Sequence, residues 1–261
     1  MPLAVAMISL GGLWFFTLVA VILTMAVVEF CHLMKRNRFR PAPAFAVALL
    51  WVLLLDAQLP QMETQWALLK PGVSLVLMGS LTWQLAHREG TPVVDWSLSM
   101  AGALYIGWLG AHIIRLRSLQ EGAWWILTAL PAIWAADSGA YFIGRAWGQH
   151  KLAPTLSPGK TWEGYVGGAL VGALVTAGLA ALWSLRAGPA GPTPEEGLAL
   201  GALVGTLAPL GDLVVSMIKR QAGVKDTGAI FPGHGGALDR VDSLLWAAVI
   251  SHYFVLWLHG S

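Results

Sequence analysis

The sequence predicts an all-α protein, a polytopic bundle of about eight transmembrane helices, or nine if its first apolar run is divided. Three observations carry that reading. Of 261 residues, 56% are hydrophobic and only 11% are charged, against roughly 25% charged in a soluble domain. Several uninterrupted apolar runs reach the roughly 20 residues with which a helix crosses a hydrocarbon core of about 30 Å. The sequence also lacks the alternating segments of about ten residues that mark a membrane barrel. Backbone groups in lipid must be satisfied within their own segment, so long apolar runs imply helices.

In chain order, apolar segments lie at residues 3–33, 42–58, 66–86, 96–117, 123–144, 163–186, 196–218 and 241–259. The first is long for one helix, and Gly11-Gly12 can divide it into a short leading piece and a full span from Leu13 to His32. It lacks a basic n-region and exceeds the usual apolar length of a signal peptide, so it reads as a retained span. Trp124, Trp125, Trp162 and Trp246 fall near span ends, where amphipathic indoles favour the membrane interface. Residues 187–196, rich in Gly and Pro, read as a connecting loop rather than a domain linker. The whole is one integrated membrane domain, with N-terminal helices at 1–120 and a C-terminal catalytic region at 121–261.

A net charge of +2 is too small to point to nucleic acid. Cys31 is the single cysteine, which excludes an intramolecular disulfide and any multi-cysteine metal site. Of the 16 Lys and Arg residues, alternate loops place only Lys70, Arg115, Arg117 and Arg186 on one side of the membrane. The others gather opposite, which marks that side as cytoplasmic. Arg115 and Arg117 are the anomalous pair on the poor side. Asp137 and Asp212 fall inside apolar spans, where an ionised carboxylate costs a few kcal/mol and needs a partner. Both lie near cytoplasmic ends beside basic loops, which suggests a shared polar cavity.

The richest polar segment runs from Asp212 to Asp242. On a helix, Asp212, Ser216, Lys219 and Arg220 occupy i, i+4, i+7 and i+8, a single face. A loop with Lys225 and Asp226 follows, then Pro232-Gly233-His234-Gly235-Gly236, then Asp239, Arg240 and Asp242. Carboxylates mixed with Lys and Arg suit a metal-bound polyphosphate: aspartates offer hard oxygens to Mg²⁺, and the cations neutralise phosphate oxygens left uncovered. Gly233, Gly235 and Gly236 permit a tight loop whose N–H groups can approach an anion. His234 can bond phosphate, protonate a leaving group or organise the loop.

A second cluster lies upstream. Asp137, Tyr141 and Arg145 share a helical face, and Ser157-Pro158-Gly159-Lys160-Thr161-Trp162-Glu163-Gly164 follows. Lys160-Thr161 is not a nucleotide-binding P-loop, since the leading glycine at the required spacing is missing. Ser157 and Thr161 can instead cap the span that begins near Trp162.

From Ser216 to Asp242 the residues follow S-x-x-K-R-x4-K-D-x5-P-G-H-G-G-x2-D-R-x-D. This resembles the phosphatidate cytidylyltransferase family, the CDP-diacylglycerol synthases. Residues 137–141 and 157–164 are similar to further blocks of that family, with Gly159 standing where a polar residue is usual. The N-terminal half matches in hydropathy alone. The resemblance implies transfer of CMP from CTP to phosphatidate, with Mg²⁺ on Asp212 and Asp239, Asp137 a less secure third ligand, and a monovalent cation such as K⁺ sometimes beside it. It assigns catalysis to Asp212, Ser216, Lys219, Arg220, Lys225, Asp226, His234, Asp239, Arg240 and Asp242. Substrate binding falls to Asp137, Tyr141, Ser157, Lys160, Thr161, Gly233, Gly235 and Gly236. It further implies a homodimer in a bacterial cytoplasmic membrane, with the site facing CTP in the cytoplasm and the lipid acceptor held in the bilayer. Two other readings fit the residues: a CTP-dependent enzyme acting on an ether-lipid phosphate or polyprenol, and a cation- or proton-coupled transporter using the intramembrane acids.

Overall fold

A computed structural model describes residues 2–59, 68–87, 89–188, 191–228 and 235–259. Among these the chain forms α1 (Pro2–Leu10), α2 (Gly12–Arg36), α3 (Pro43–Gln58), α4 (Leu69–Ala86), α5 (Pro92–Ser118) and α6 (Gly122–Trp147). A short hairpin of β1 (Lys151–Ala153) and β2 (Ser157–Thr161) follows, then α7 (Trp162–Ala187), α8 (Pro194–Gln221) and α9 (Leu238–His259). The polytopic helical membrane bundle is therefore the fold. Among the described residues six helices, α2 and α5 to α9, are long and apolar enough to cross a membrane. Gly11, at φ +65, and Gly12, at φ +52, break the leading run as its sequence suggested. The resulting α1 has nine residues, about 13 Å of helix, and cannot cross alone.

The chain divides into two compact units. One comprises Met1–Gly12, Leu116–Met217 and Asp242–Ser261; the other comprises Leu13–Arg115 and Ile218–Val241. The second unit is organised around α5, whose glycines receive large side chains. A Cβ at Gly102 would collide with Phe30 of α2, one at Gly110 with Leu23, and one at Gly107 would lie 3.0 Å from Leu50 and Leu53 of α3. Lipid supplies no hydrophobic drive between helices, so such close packing is what holds them. Arg115 of α5 pairs with Asp56 of α3 at 3.1 Å, which accounts for one of the two anomalous cations.

In the first unit, α6, α7 and α8 pack through glycines spaced four apart. Gly164, Gly168 and Gly172 of α7 face α6, and a Cβ at Gly168 would lie 2.5 Å from the Ala136 carbonyl oxygen. Gly197, Gly201 and Gly205 of α8 face α7, and a Cβ at Gly201 would lie 2.8 Å from both the Ala173 Cα and the Gly172 oxygen. Small residues at i and i+4 let helix backbones approach closely. Two caps fix the helix starts. The Thr161 hydroxyl accepts from the Gly164 N–H at 3.2 Å. Thr193 and Glu196 form a reciprocal box, with Thr193 N donating to Glu196 Oε2 at 2.8 Å and Glu196 N donating to Thr193 Oγ1 at 3.3 Å.

One sequence expectation is corrected. Trp125 is not an interface indole: it is fully buried and meets Phe254 edge-on at 6.3 Å, while Trp162 is 52% exposed. Arg117, the second anomalous cation, donates to the Ile8 and Ser9 carbonyls at 2.7 and 3.4 Å. It thus satisfies the unpaired C-terminal carbonyls of α1.

Candidate active site

In the first unit the β hairpin carries Lys160 to α8. Its ammonium lies 2.6 Å from Asp212 Oδ2 and donates to the Pro209 carbonyl at 3.5 Å. Asp137 of α6 is within electrostatic reach of both Lys160 and Asp212. Two carboxylates carried by apolar helices and one ammonium thus share a neighbourhood. The hairpin is tied to α7 by Glu163, which accepts from the backbone N–H of Gln149 and His150 at 3.2 Å and stands 2.6 Å from the His150 ring nitrogen. Tyr165 donates to the Thr206 carbonyl at 2.5 Å and fixes α7 to α8. Gly211 permits the crossing of α9, because a Cβ there would lie 2.5 Å from the Asp242 carbonyl oxygen and 2.6 Å from Trp246.

The other expected residues of this unit separate by task. Arg145 donates to the Tyr141 hydroxyl at 3.1 Å, one turn along an exposed face. Thr161 is engaged in capping α7. Ser157 opens β2. Ser216 is buried on α8, and Asp242 accepts from the Ser243 N–H at 2.6 Å.

In the second unit, α8 ends in a cationic turn closed by Gly223 at φ +69. Gly223 N donates to the Arg220 carbonyl at 3.0 Å and Val224 N to that of Lys219 at 3.0 Å, the paired bonds of a Schellman ending. Lys219 is buried, and its ammonium donates to Asp239 Oδ1 at 2.7 Å. Asp239 Oδ2 accepts from the N–H of Thr227 at 2.8 Å, the Thr227 hydroxyl at 2.9 Å and the N–H of Gly236 at 3.0 Å. Gly235 takes φ +82, a conformation that glycine adopts without strain. Arg220, Lys225, Asp226 and Arg240 are exposed, with Arg220 also donating to the Val224 carbonyl at 3.2 Å. Gly233 and His234 lie outside the described residues.

One polar residue of this cluster escapes a reading of the sequence. Glu29 of α2 is 5% exposed, and its Oε2 accepts from the Leu238 N–H at 3.0 Å and the Thr227 hydroxyl at 3.1 Å. The available signal was a single acid in an apolar run, the criterion that marked Asp137 and Asp212.

The donor chemistry fits Mg²⁺ carried by a nucleotide. That ion takes one or two protein carboxylates and completes its shell with phosphate oxygens and water. Asp137 and Asp212 supply two hard carboxylates. Among the described residues there is no group of three or more acidic, His or Cys side chains that would hold a metal alone. Asp239 has both oxygens engaged by protein donors.

Apolar helices bearing cation–carboxylate pairs define a class, the integral membrane proteins with a built polar site. The chain belongs to the cytidylyltransferase family, whose profile matches residues 1–258. It is 33% identical to the phosphatidate cytidylyltransferase of Synechocystis sp. over 287 residues, spanning 98% of this chain and 93% of the relative. It is 35% identical to that of Bacillus subtilis over 255 residues, spanning 97% and 92% respectively. Identity to the Haemophilus influenzae phosphatidate cytidylyltransferase is 44% over 154 residues, 57% of this chain and 53% of the relative.

Proposed function

We propose that this chain transfers CMP from CTP to phosphatidate, giving CDP-diacylglycerol and pyrophosphate for phospholipid synthesis. Near-full-length similarity to enzymes of that name supports the reading, and the Lys160–Asp212 pair beside Asp137 is the structural observation that carries it. A phosphate oxygen of phosphatidate attacks the α-phosphorus of CTP; the bond to the bridging oxygen breaks and pyrophosphate departs. That nucleophile is already anionic, so no strong general base is required. The task is alignment and charge neutralisation.

Lys160 and Lys219 are each paired with a carboxylate, a partner that phosphate oxygens can replace. Arg220, Lys225 and Arg240, exposed at helix and loop ends, supply further donors. Mg²⁺, when bound, would be held by Asp212 with Asp137 and would neutralise phosphate charge. A monovalent cation beside it and a homodimeric assembly belong to the same reading. The basic residues favour a cytoplasmic position for the site in a bacterial inner membrane, where soluble CTP meets a lipid whose chains remain in the bilayer. Withdrawing those chains would cost about 0.8 kcal/mol per CH₂.

Purified protein given CTP, Mg²⁺ and either diacyl phosphatidate, its ether analogue or a polyprenol tests the assignment. Pyrophosphate release with diacyl phosphatidate is expected. Release only with another acceptor would move the chain to a neighbouring lipid substrate, and none with any acceptor would overturn nucleotidyl transfer.

A further inference from the structure

The Glu29 carboxylate gathers four positions of the motif segment. It accepts from Thr227 and Leu238, and Gly228 and Gly236 close upon it. A Cβ at Gly228 would lie 2.6 Å from Oε1, and one at Gly236 would collide with Oε2 and with the Thr227 hydroxyl. The Thr227 hydroxyl lies within reach of both Glu29 and Asp239, so the two acids meet at one side chain. Asp239 in turn holds the Lys219 ammonium. A chain of direct contacts therefore runs from α2 through the segment's backbone to its buried lysine.

Burying a carboxylate in an apolar helix is costly, and among the described residues Glu29 Oε1 has no hydrogen-bond partner. A leucine would fill this place at lower cost if packing were its purpose. We propose that Glu29 is a positioning residue for cytidylyl transfer. It fixes the backbone on both sides of the motif loop at Thr227 and Leu238, and so sets the Asp239 carboxylate that aims Lys219. The inference rests on the reading of this motif as nucleotide-binding. It adds a functional residue from the N-terminal half, outside the polar motif blocks.

The test uses full-length protein in detergent with Glu29→Leu, Glu29→Gln, Thr227→Val and the Leu/Val double variant. Glu29→Leu should lower kcat/KM for CTP by roughly tenfold or more, the size of effect that follows loss of a buried hydrogen-bonding carboxylate. Glu29→Gln keeps an acceptor oxygen and the volume, and should return activity to within about threefold of wild type. Because Glu29→Leu and Thr227→Val both cut the Glu29–Thr227 link, while the latter also frees Asp239 of a hydroxyl, the double variant should lose less than the product of the two single losses. Hydrogen exchange should accelerate at residues 224–228 and 235–239 in Glu29→Leu while α6 and α7 keep their protection.

Activity of Glu29→Leu within about threefold of wild type, or losses that multiply in the double variant, would overturn the proposal. If Glu29→Leu does not fold, Thr227→Val decides, and unchanged kcat/KM and exchange in it are equally fatal. A wild type that releases no pyrophosphate would overturn the cytidylyltransferase reading instead. Exchange would then decide separately whether Glu29 holds the segment.

Discussion

Asp212 and Asp239 carry the same side chain with different environments, and their variants should fail differently. Asp212 Oδ2 pairs with the Lys160 ammonium, a cation that phosphate oxygens can also engage. Asp212→Asn should therefore cut turnover by about a hundredfold or more, as loss of a charge-stabilising group does, while detergent-solubilised protein keeps its thermal midpoint. Asp239 accepts two backbone N–H groups, a hydroxyl and an ammonium. Asp239→Asn should lose activity and also lower the midpoint, because an amide nitrogen placed among those donors leaves some of them unsatisfied. Near-normal turnover in Asp212→Asn would remove that carboxylate from the site. Lys160→Met keeps the apolar stem and deletes the cation, and should raise KM for CTP roughly tenfold; an unchanged KM would confine Lys160 to pairing. Asp137 and Asp212 stood out in the sequence because each breaks an apolar span beside a basic loop, and Lys160 because it lies in a polar segment between two spans. Glu29 breaks the same kind of pattern but meets Thr227 across 198 residues of chain, and spacing along a helix says nothing about such a partner.

At the scale of elements, hydropathy located the helices because lipid forces apolar runs to be helical. It set their polar ends short. Helix α6 continues to Trp147 and α8 to Gln221, since Arg145, Lys219 and Arg220 in the last turns favour the negative end of the helix dipole. The β1–β2 hairpin was hidden, because Pro154, Pro158 and Gly159 read as loop punctuation and leave too little alternation for a strand. What places Lys160 is pairing between strands, a property of two segments together. Helix packing yields a paired prediction. Gly201→Ala puts a methyl against the α7 backbone and should destabilise the protein by about 1–3 kcal/mol through overpacking. Gly178→Ala meets nothing within 4 Å and should be neutral or stabilising by up to about 1 kcal/mol. Thermal unfolding in one detergent compares the two, and equal midpoints would remove the close α7–α8 approach as a source of stability.

For the molecule as a whole, orientation decides whether the proposed chemistry is possible, since CTP and the motif must share a compartment. The structure accounts for the two cations that opposed the charge map, Arg115 by its pairing with Asp56 and Arg117 by its hold on α1. The orientation inferred from the basic residues is open to a direct labelling test. Cys31 is the single cysteine and is buried, so a Cys31→Ala background gives a chain without thiols. Cysteines placed singly at Glu89, Gln120, Thr155 and Glu195 occupy exposed positions in or bordering four successive connections between helices. A membrane-impermeant maleimide should label the Glu89 and Thr155 positions only in inverted vesicles, and the Gln120 and Glu195 positions only in right-side-out vesicles. The β hairpin, and Lys160 with it, would then face the nucleotide pool. The opposite pattern would put that hairpin outside the cell, beyond the reach of CTP, and cytidylyl transfer at Lys160 and Asp212 would have to be abandoned.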